Sequence, residues 1–211
     1  MTRGLKAALD RVVAALVLVL LAPLFAAIAL WIVLDDGRPV LLRQARAGRG
    51  GRPFPMLKFR TMVRNAIELG RELALTEDEF GVVANDPRIT RSGRFLRRTS
   101  LDELPQLVNV LRGEMSLVGP RPDLVEQAAR YTEHDRRRLA VPPGITGWSQ
   151  VNGRDEIGWP ERIEQDLWYI DHWSLALDAK IVVLTLTQLF RGEPQPVEDT
   201  MNIERRAREQ S

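Results

Sequence analysis

The chain has 211 residues, enough for one domain with a true hydrophobic core or for a smaller one joined to a membrane element. It has no cysteine and only 2 histidines, His134 and His172, which excludes disulfides, thiolate metal sites and a histidine-rich centre and leaves carboxylates and phosphates as metal ligands. The formal charge of +2, from 30 basic and 28 acidic side chains, hides clusters: Arg38, Arg43, Arg46, Arg49, Arg52, Lys58, Arg60 and Arg64 follow one another with no acid between them, and Arg88, Arg91, Arg94, Arg97 and Arg98 come next. Such clusters suit an anionic membrane surface or a phosphorylated ligand; without a nucleic-acid motif, no nucleic-acid partner is expected.

The run from Val12 to Leu34, VVAALVLVLLAPLFAAIALWIVL, carries no charge. At ~1.5 Å per residue it reaches across a ~30 Å hydrocarbon core. A cleaved signal peptide has a shorter apolar region and a small-residue cleavage site; this run leads instead into DDGRP, so a retained membrane segment is expected. Arg3, Lys6 and Arg11 precede it and Arg38, Arg43 and Arg46 follow, so flanking charge gives no direction of crossing. Pro23, at its midpoint, removes a backbone hydrogen bond and clashes with the preceding turn, which predicts a sharp break. Two readings stand on the residues alone: a re-entrant hairpin with both ends on one side, and a kinked spanning helix.

Next, RPVLLRQARAGRGGRPFPMLKFRTM predicts two short strands around a glycine- and arginine-rich turn, one face buried and the other charged. The spacing of Asn65 to Phe80 predicts a helix, and DPRITRSGRFLRR a loop running into the next one. Pro120 to His134 is expected to begin with prolines and continue as a helix, followed by the turn-rich RLAVPPGITGWSQVNGR. Glu161 to Ile170 and Asp178 to Leu189 read as helices; the latter, too short to span a bilayer, suits a core or an interfacial position. The tail from Glu193 is expected to be peripheral.

Candidate chemistry centres on TSLDELPQLVNVLRGEMSLVGPRP, Thr99 to Pro122. Ser100 to Glu103 fits a capping box, with Ser100 as N-cap, Glu103 at the third position and Pro105 near the first turn. On that reading the two acids serve the helix. Alternatively, Asp102 at a helix N-terminus faces a phosphate, with Arg97, Arg98, Arg121 and Mg²⁺ supplying the necessary cations. Adjacent helical residues diverge by ~100°, so the pair takes different roles: nucleophile and metal contact for Asp102, orientation of it or of a metal-bound water for Glu103. Arg154, Asp155 and Glu156 either line a nucleotide pocket or form a solvated loop. Trp148, Trp159, Trp168, Tyr169 and Trp173 are expected to pack in the core or anchor at the interface, with stacking on a base as the rarer use. His134 and His172 receive no role.

KFRTM (Lys58 to Met62), the TSLDELPQL segment, MSLVGPRP (Met115 to Pro122) and PGITGWSQVNGR (Pro143 to Arg154), in this order after a basic-flanked apolar segment, resemble the bacterial sugar transferases known as monotopic phosphoglycosyl transferases. The resemblance runs from about Lys6 to Leu189 and is to the minimal form, without additional N-terminal membrane helices. It implies transfer of a sugar 1-phosphate from a UDP-sugar to polyprenol phosphate (undecaprenyl phosphate) at the cytoplasmic face of the bacterial inner membrane. By the same resemblance Asp102 attacks the sugar-bearing phosphorus and releases UMP, Mg²⁺ sits at Asp102, and Arg121 holds phosphate. Lys58, Arg60, Arg97 and Arg154 are expected to contact phosphate or substrate. The minimal form leans towards N-acetylated amino sugars. The resemblance also favours the hairpin, although Ala22-Pro23 stands where relatives often have Ser-Pro, so proline makes the bend alone.

The expected fold is α+β: a re-entrant membrane helix hairpin (1–36), then a small, mostly helical catalytic domain (37–192) with a short β-hairpin and interfacial amphipathic helices, then a C-terminal tail (193–211). A second copy of the chain and downstream glycosyltransferases are further candidate partners. The rival from another class is a membrane-anchored scaffold without activity.

Overall fold

The computed structural model describes residues 3–74, 83, 85–153 and 157–191. The predicted tail, Arg154 and the end of the predicted 65–80 helix lie outside the described residues.

The apolar segment forms two helices, α1 (Arg3–Leu20) and α2 (Ala22–Asp36), bent by 63° at their junction. Among the described residues no single helix is long and apolar enough to cross a membrane, whereas the bent pair together has the necessary length and composition. Pro23 falls in the first turn of α2, where its missing N–H has no intrahelical partner to lose, and the chain restarts there in a new direction. Leu16, Val19, Leu20 and Leu34 point outward, more than three-fifths exposed, as expected of a segment with an apolar surrounding.

Strand β1 (Leu41–Ala47) pairs antiparallel with β2 (Pro53–Phe59), Leu42 opposite Lys58 and Arg46 opposite Phe54. Side chains alternate across β2, so Phe54 and Met56 face one way and Phe59 the other. The first face joins Ala14 of α1 with Leu107 and Val110 of α5 (Gln106–Arg112) and with Met115. The second joins Ile28 and Ile32 of α2 with Leu96 of α4 (Arg91–Arg98). Each arm of the bent pair thus covers one face of the same strand. The buried Asn109 ties α5 to β2 as an added strand would: its Oδ1 accepts from the Leu57 N–H at 3.0 Å and its Nδ2 donates to the Pro55 carbonyl at 2.9 Å.

Helix α3 (Ala66–Glu72) realises the start of the predicted 65–80 helix. The segment read as a loop into the next helix is half helix: α4 begins at Arg91, capped by the Thr90 hydroxyl, which accepts from the Gly93 N–H at 2.9 Å. Gly93 is required for packing, because a Cβ there would stand 2.0 Å from the Thr61 carbonyl oxygen. The acids ending α2 hold this region: Asp35 accepts from the Ser92 N–H and hydroxyl, both at 2.8 Å, and Asp36 pairs with Arg60.

The helix predicted over Pro120 to His134 shrinks to one turn, α6 (Val125–Ala128), because Pro120 and Pro122 hold the chain extended and polar contacts occupy the residues around them. The turn-rich stretch contains a strand not anticipated from sequence: β4 (Gly144–Thr146) lies parallel to β3 (Ser116–Val118). A Cβ on Gly144 would meet the Gly119 nitrogen at 2.1 Å, so the contact needs glycine. Helices α7 (Trp148–Val151), α8 (Trp159–Asp171) and α9 (Leu175–Arg191) complete the described fold. The result is mixed helix and strand, mostly helical, with two small sheets.

Candidate functional site

Asp102 and Glu103 lie in a single 3₁₀ turn, Leu101–Glu103, ahead of α5. The capping box expected there does not form. Ser100 takes the left-handed conformation (φ 56°) and caps nothing with its side chain, while the Glu103 carboxylate is drawn out of the helix by two cations from distant segments. Lys58 Nζ donates to Glu103 Oε1 at 2.8 Å, and Arg121 forks across both oxygens, Nη2 to Oε1 at 2.8 Å and Nη1 to Oε2 at 3.3 Å. The strand β2 supplies Lys58, and the loop after β3 supplies Arg121.

Asp102 is buried yet accepts no hydrogen bond from any described residue. Burial, and then the negative charge of Glu103, push its carboxyl up to about 6, against the pull of Lys58, Arg97 and Arg121. Glu103 moves the other way. Burial alone would raise it, but Arg121 and Lys58 outweigh burial and hold it well below the usual carboxylate range. Two adjacent carboxylates are therefore driven apart in acidity: one permanently ionised and clamped, the other unclamped and poised near neutrality.

Arg97, on the last turn of α4, is fixed by its Nε donating to Thr61 Oγ1 at 2.9 Å, and its charge acts on Asp102. Lys58, Arg97 and Arg121 thus converge on the acid pair. Arg60 does not: its guanidinium is buried against the end of α2, donating to the Asp36 carboxylate and to the Asp36 and Gly37 carbonyls, the last two at 3.1 and 2.6 Å. Arg60 is thus engaged with the end of α2 rather than with the acid pair. His134 contacts Glu164 at 2.7 Å on the surface. Trp148 stacks on Trp168 with ring centroids 4.8 Å apart, Trp168 on His172 at 4.5 Å, and Tyr169 is buried, a packing use of these aromatics.

Two residues that sequence reasoning missed support the Pro-Arg-Pro loop. Arg46 Nη1 donates to the Pro122 carbonyl at 3.3 Å, and burial followed by the Arg121 charge lowers it to about 10. Its signal was available: at the observed register Arg46 and Lys58 share one face of the β-hairpin. Arg138, 3% exposed, stands behind the loop, donating to the Arg121 carbonyl at 3.2 Å and to Asp166 at 2.6 Å while pairing with Asp123. Within Arg136-Arg137-Arg138 nothing distinguishes it from a solvated charge run.

Among the described residues no group of three or more acidic or histidine side chains could hold a metal. A divalent ion here would have to rest on Asp102 with phosphate and water oxygens, a donor set that Mg²⁺ accepts. The buried carboxylate without a hydrogen-bond donor fits that use.

A carboxylate pair split in acidity and ringed by fixed cations is equipment for phosphate chemistry. The family model for bacterial sugar transferases matches residues 1–192, and the chain belongs to that family. It is 43% identical over 201 residues to the undecaprenyl-phosphate galactose phosphotransferase of Salmonella typhimurium, covering 91% of this chain and 42% of that protein. To the UDP-glucose:undecaprenyl-phosphate glucose-1-phosphate transferase of Escherichia coli it is 46% identical over 198 residues, 90% of this chain and 40% of that one. An uncharacterized sugar transferase of Bacillus subtilis, EpsL, is 47% identical over 160 residues, 76% and 74% of the two chains. This chain therefore spans about two-fifths of the length of the first two relatives and about three-quarters of the third.

Proposed function

We propose that the protein transfers a sugar 1-phosphate from a UDP-sugar to a polyprenol phosphate such as undecaprenyl phosphate, at the cytoplasmic face of the bacterial inner membrane. The observation that carries this reading is the split of the acid pair: Glu103 spent on Lys58 and Arg121, Asp102 buried and unclamped beside the same cations. The names of the two long relatives, one acting with galactose and one with glucose, support the class of reaction.

In the first displacement an Asp102 carboxylate oxygen attacks the sugar-bearing phosphorus. A P–O bond forms to Asp102, the bond to the bridging oxygen breaks, and UMP leaves with that oxygen and its electron pair. In the second, a phosphate oxygen of the lipid attacks the same phosphorus, the aspartyl ester breaks, and polyprenol diphosphate-sugar is released with Asp102 regenerated. Both nucleophiles enter as anions, so neither step needs a general base. Asp102 is mostly ionised at neutral pH. Arg121 and Lys58, anchored on Glu103, hold their charge beside the reacting phosphates, and Arg97 neutralises the far side of Asp102. Mg²⁺, when bound at Asp102, would supply further neutralisation of the diphosphate. The bent α1–α2 pair serves as a re-entrant hairpin that keeps the site at the bilayer surface, where the lipid's phosphate lies.

The test is incubation with UDP-glucose, UDP-galactose and N-acetylated UDP-amino sugars in Mg²⁺ without lipid. The expected result is up to one equivalent of UMP and a sugar phosphate on Asp102, both lost in Asp102→Asn. An adduct on Glu103, or full turnover by Asp102→Asn, overturns the assignment. Failure of every sugar to release UMP, with or without lipid, favours the scaffold.

A further inference from the structure

Between the first turns of α1 and strand β3 lies a small cleft of about 70 Å³, open along one side. Its floor is apolar, formed by the buried Val110, Met115, Val118 and Tyr169, and its rim carries the exposed Arg3 and Arg11. The proposed transfer site is elsewhere; none of Lys58, Arg97, Asp102, Glu103 and Arg121 lines this cleft.

The charges within it do not cancel. Asp178 accepts from Lys6 at 2.6 Å, from the Tyr169 hydroxyl at 2.7 Å and from Trp173 Nε1 at 3.1 Å. Asp10 accepts from the Ser116 hydroxyl at 2.6 Å and lies 3.5 Å from Lys6. Both carboxylates and Lys6 are thereby satisfied. Arg3 and Arg11 form no salt bridge with any described residue; Arg11 lies across Gly113, where an added Cβ would come within 2.4 Å of its Nη2. An apolar floor beneath a rim where Arg3, Lys6 and Arg11 outnumber Asp10 and Asp178 by one positive charge matches an amphiphile with an anionic head. The cleft also sits just before Val12, where the apolar run begins, which is the headgroup level if α1 enters the bilayer.

We propose that this cleft seats the phosphate-bearing headgroup of one anionic phospholipid from the surrounding bilayer, with the acyl chains leaving through its open side along α1. The proposal rests on the membrane reading above. The bound lipid would tie α1 to β3, and β3 leads directly into the loop bearing Arg121.

Trp173 lines the cleft and reports on it. The protein is placed in phosphatidylcholine vesicles containing a few mole per cent of either phosphatidylglycerol or phosphatidylcholine brominated high on the acyl chain. Quenching of the Trp173 emission is obtained by difference from Trp173→Phe. The expected result is saturable, preferential quenching by the brominated phosphatidylglycerol, with the half-point raised about fivefold for each of Arg3→Gln and Arg11→Gln. Arg43→Gln with Arg49→Gln, which removes equal charge outside the cleft, is expected to leave the preference intact. Equal quenching by both lipids, or a loss of preference in Arg43→Gln with Arg49→Gln equal to that in Arg3→Gln combined with Arg11→Gln, overturns the site and leaves the membrane reading standing. Failure to sediment with the vesicles at all overturns both.

Discussion

Replacing the two acids by their amides should move stability in opposite directions. Asp102 titrates near 6 in the folded chain against ~3.9 for an unperturbed aspartate. Above pH 6 the folded state therefore carries the whole cost of an ionised buried carboxylate. At 1.36 kcal/mol per pH unit the difference of about 2 units amounts to an upper bound of ~3 kcal/mol. Asp102→Asn removes that cost and should raise the melting temperature by up to roughly 6–12 °C, taking ~2–4 °C per kcal/mol for a chain of this size. The sign is fixed by protonation. Below pH ~4 the folded and unfolded chains both hold the proton and the advantage of the variant vanishes; it grows as pH rises from 4 to 6 and then stays level. Glu103→Gln should do the reverse. It strands Lys58 and Arg121 in a half-buried site, costing about 3–5 kcal/mol, and this deficit should stay level down to about pH 5 and begin to shrink only below it, where the unfolded parent takes up a proton that the folded parent does not. The assay is thermal unfolding of detergent-solubilised protein in chelator across pH 4–8, where metal binding does not contribute. An Asp102→Asn variant less stable than the parent at pH 7.5, or an advantage independent of pH, refutes the electrostatic account of the pair.

Several other perturbations have definite outcomes. Initial-rate measurement of UMP release should show an acid limb near pH 6, and Glu103→Gln should move it downward, because the charge that raises Asp102 is gone. Arg138→Met should destabilise the chain by about 3–5 kcal/mol in chemical unfolding by leaving Asp123 and Asp166 unpaired, and Arg138→Met with Asp166→Leu should recover part of the loss. Gly93→Ala should separate α4 from the Thr61 backbone and displace Arg97, detected as a lowered melting temperature together with slowed UMP release. Pro23→Ala restores an N–H and removes the ring constraint, so α1 and α2 should straighten; a cysteine at Thr2, labelled from one side only in the parent, should then become accessible from the other.

How legible these features were depended on their range. Hairpin β1–β2 was written in the alternation of PMLKFRTM, and the break at Pro23 in the covalent chemistry of proline. The acid pair and the convergence of Lys58, Arg97 and Arg121 on it were indicated by motif. The local geometry was not, since the pattern of Ser100 and Glu103 fits a cap that loses to two tertiary ion pairs. Arg60 is the opposite case: in sequence it stands beside Lys58 as an equivalent cation, and only the folded position of Asp36 shows which carboxylate it pairs with. Strand β4 is three residues long and depends on Gly119, Gly144 and Gly147 approaching backbone to backbone, a contact with no periodic trace. Helix α4 gathers its four arginines on one side and buries Ser92, Gly93 and Leu96 on the other, so a face with one large apolar residue gave no apolar stripe, although Thr90 marked its start.

The salt bridge from Lys6 to Asp178 joins residues 172 positions apart. With α1 and α2 each closing one face of β2, this contact makes the order of assembly during synthesis a one-way affair. The bent pair is synthesised before β2 and α9, so at that time neither exists to cover its apolar surface. Docking onto β2 follows once the hairpin is made, and the final closure waits for α9. A truncated chain ending before Asp178 would keep the acid pair and its three cations and leave its first helix unlatched, and its defect would be read as proteolysis before it was read as damage at the acid pair.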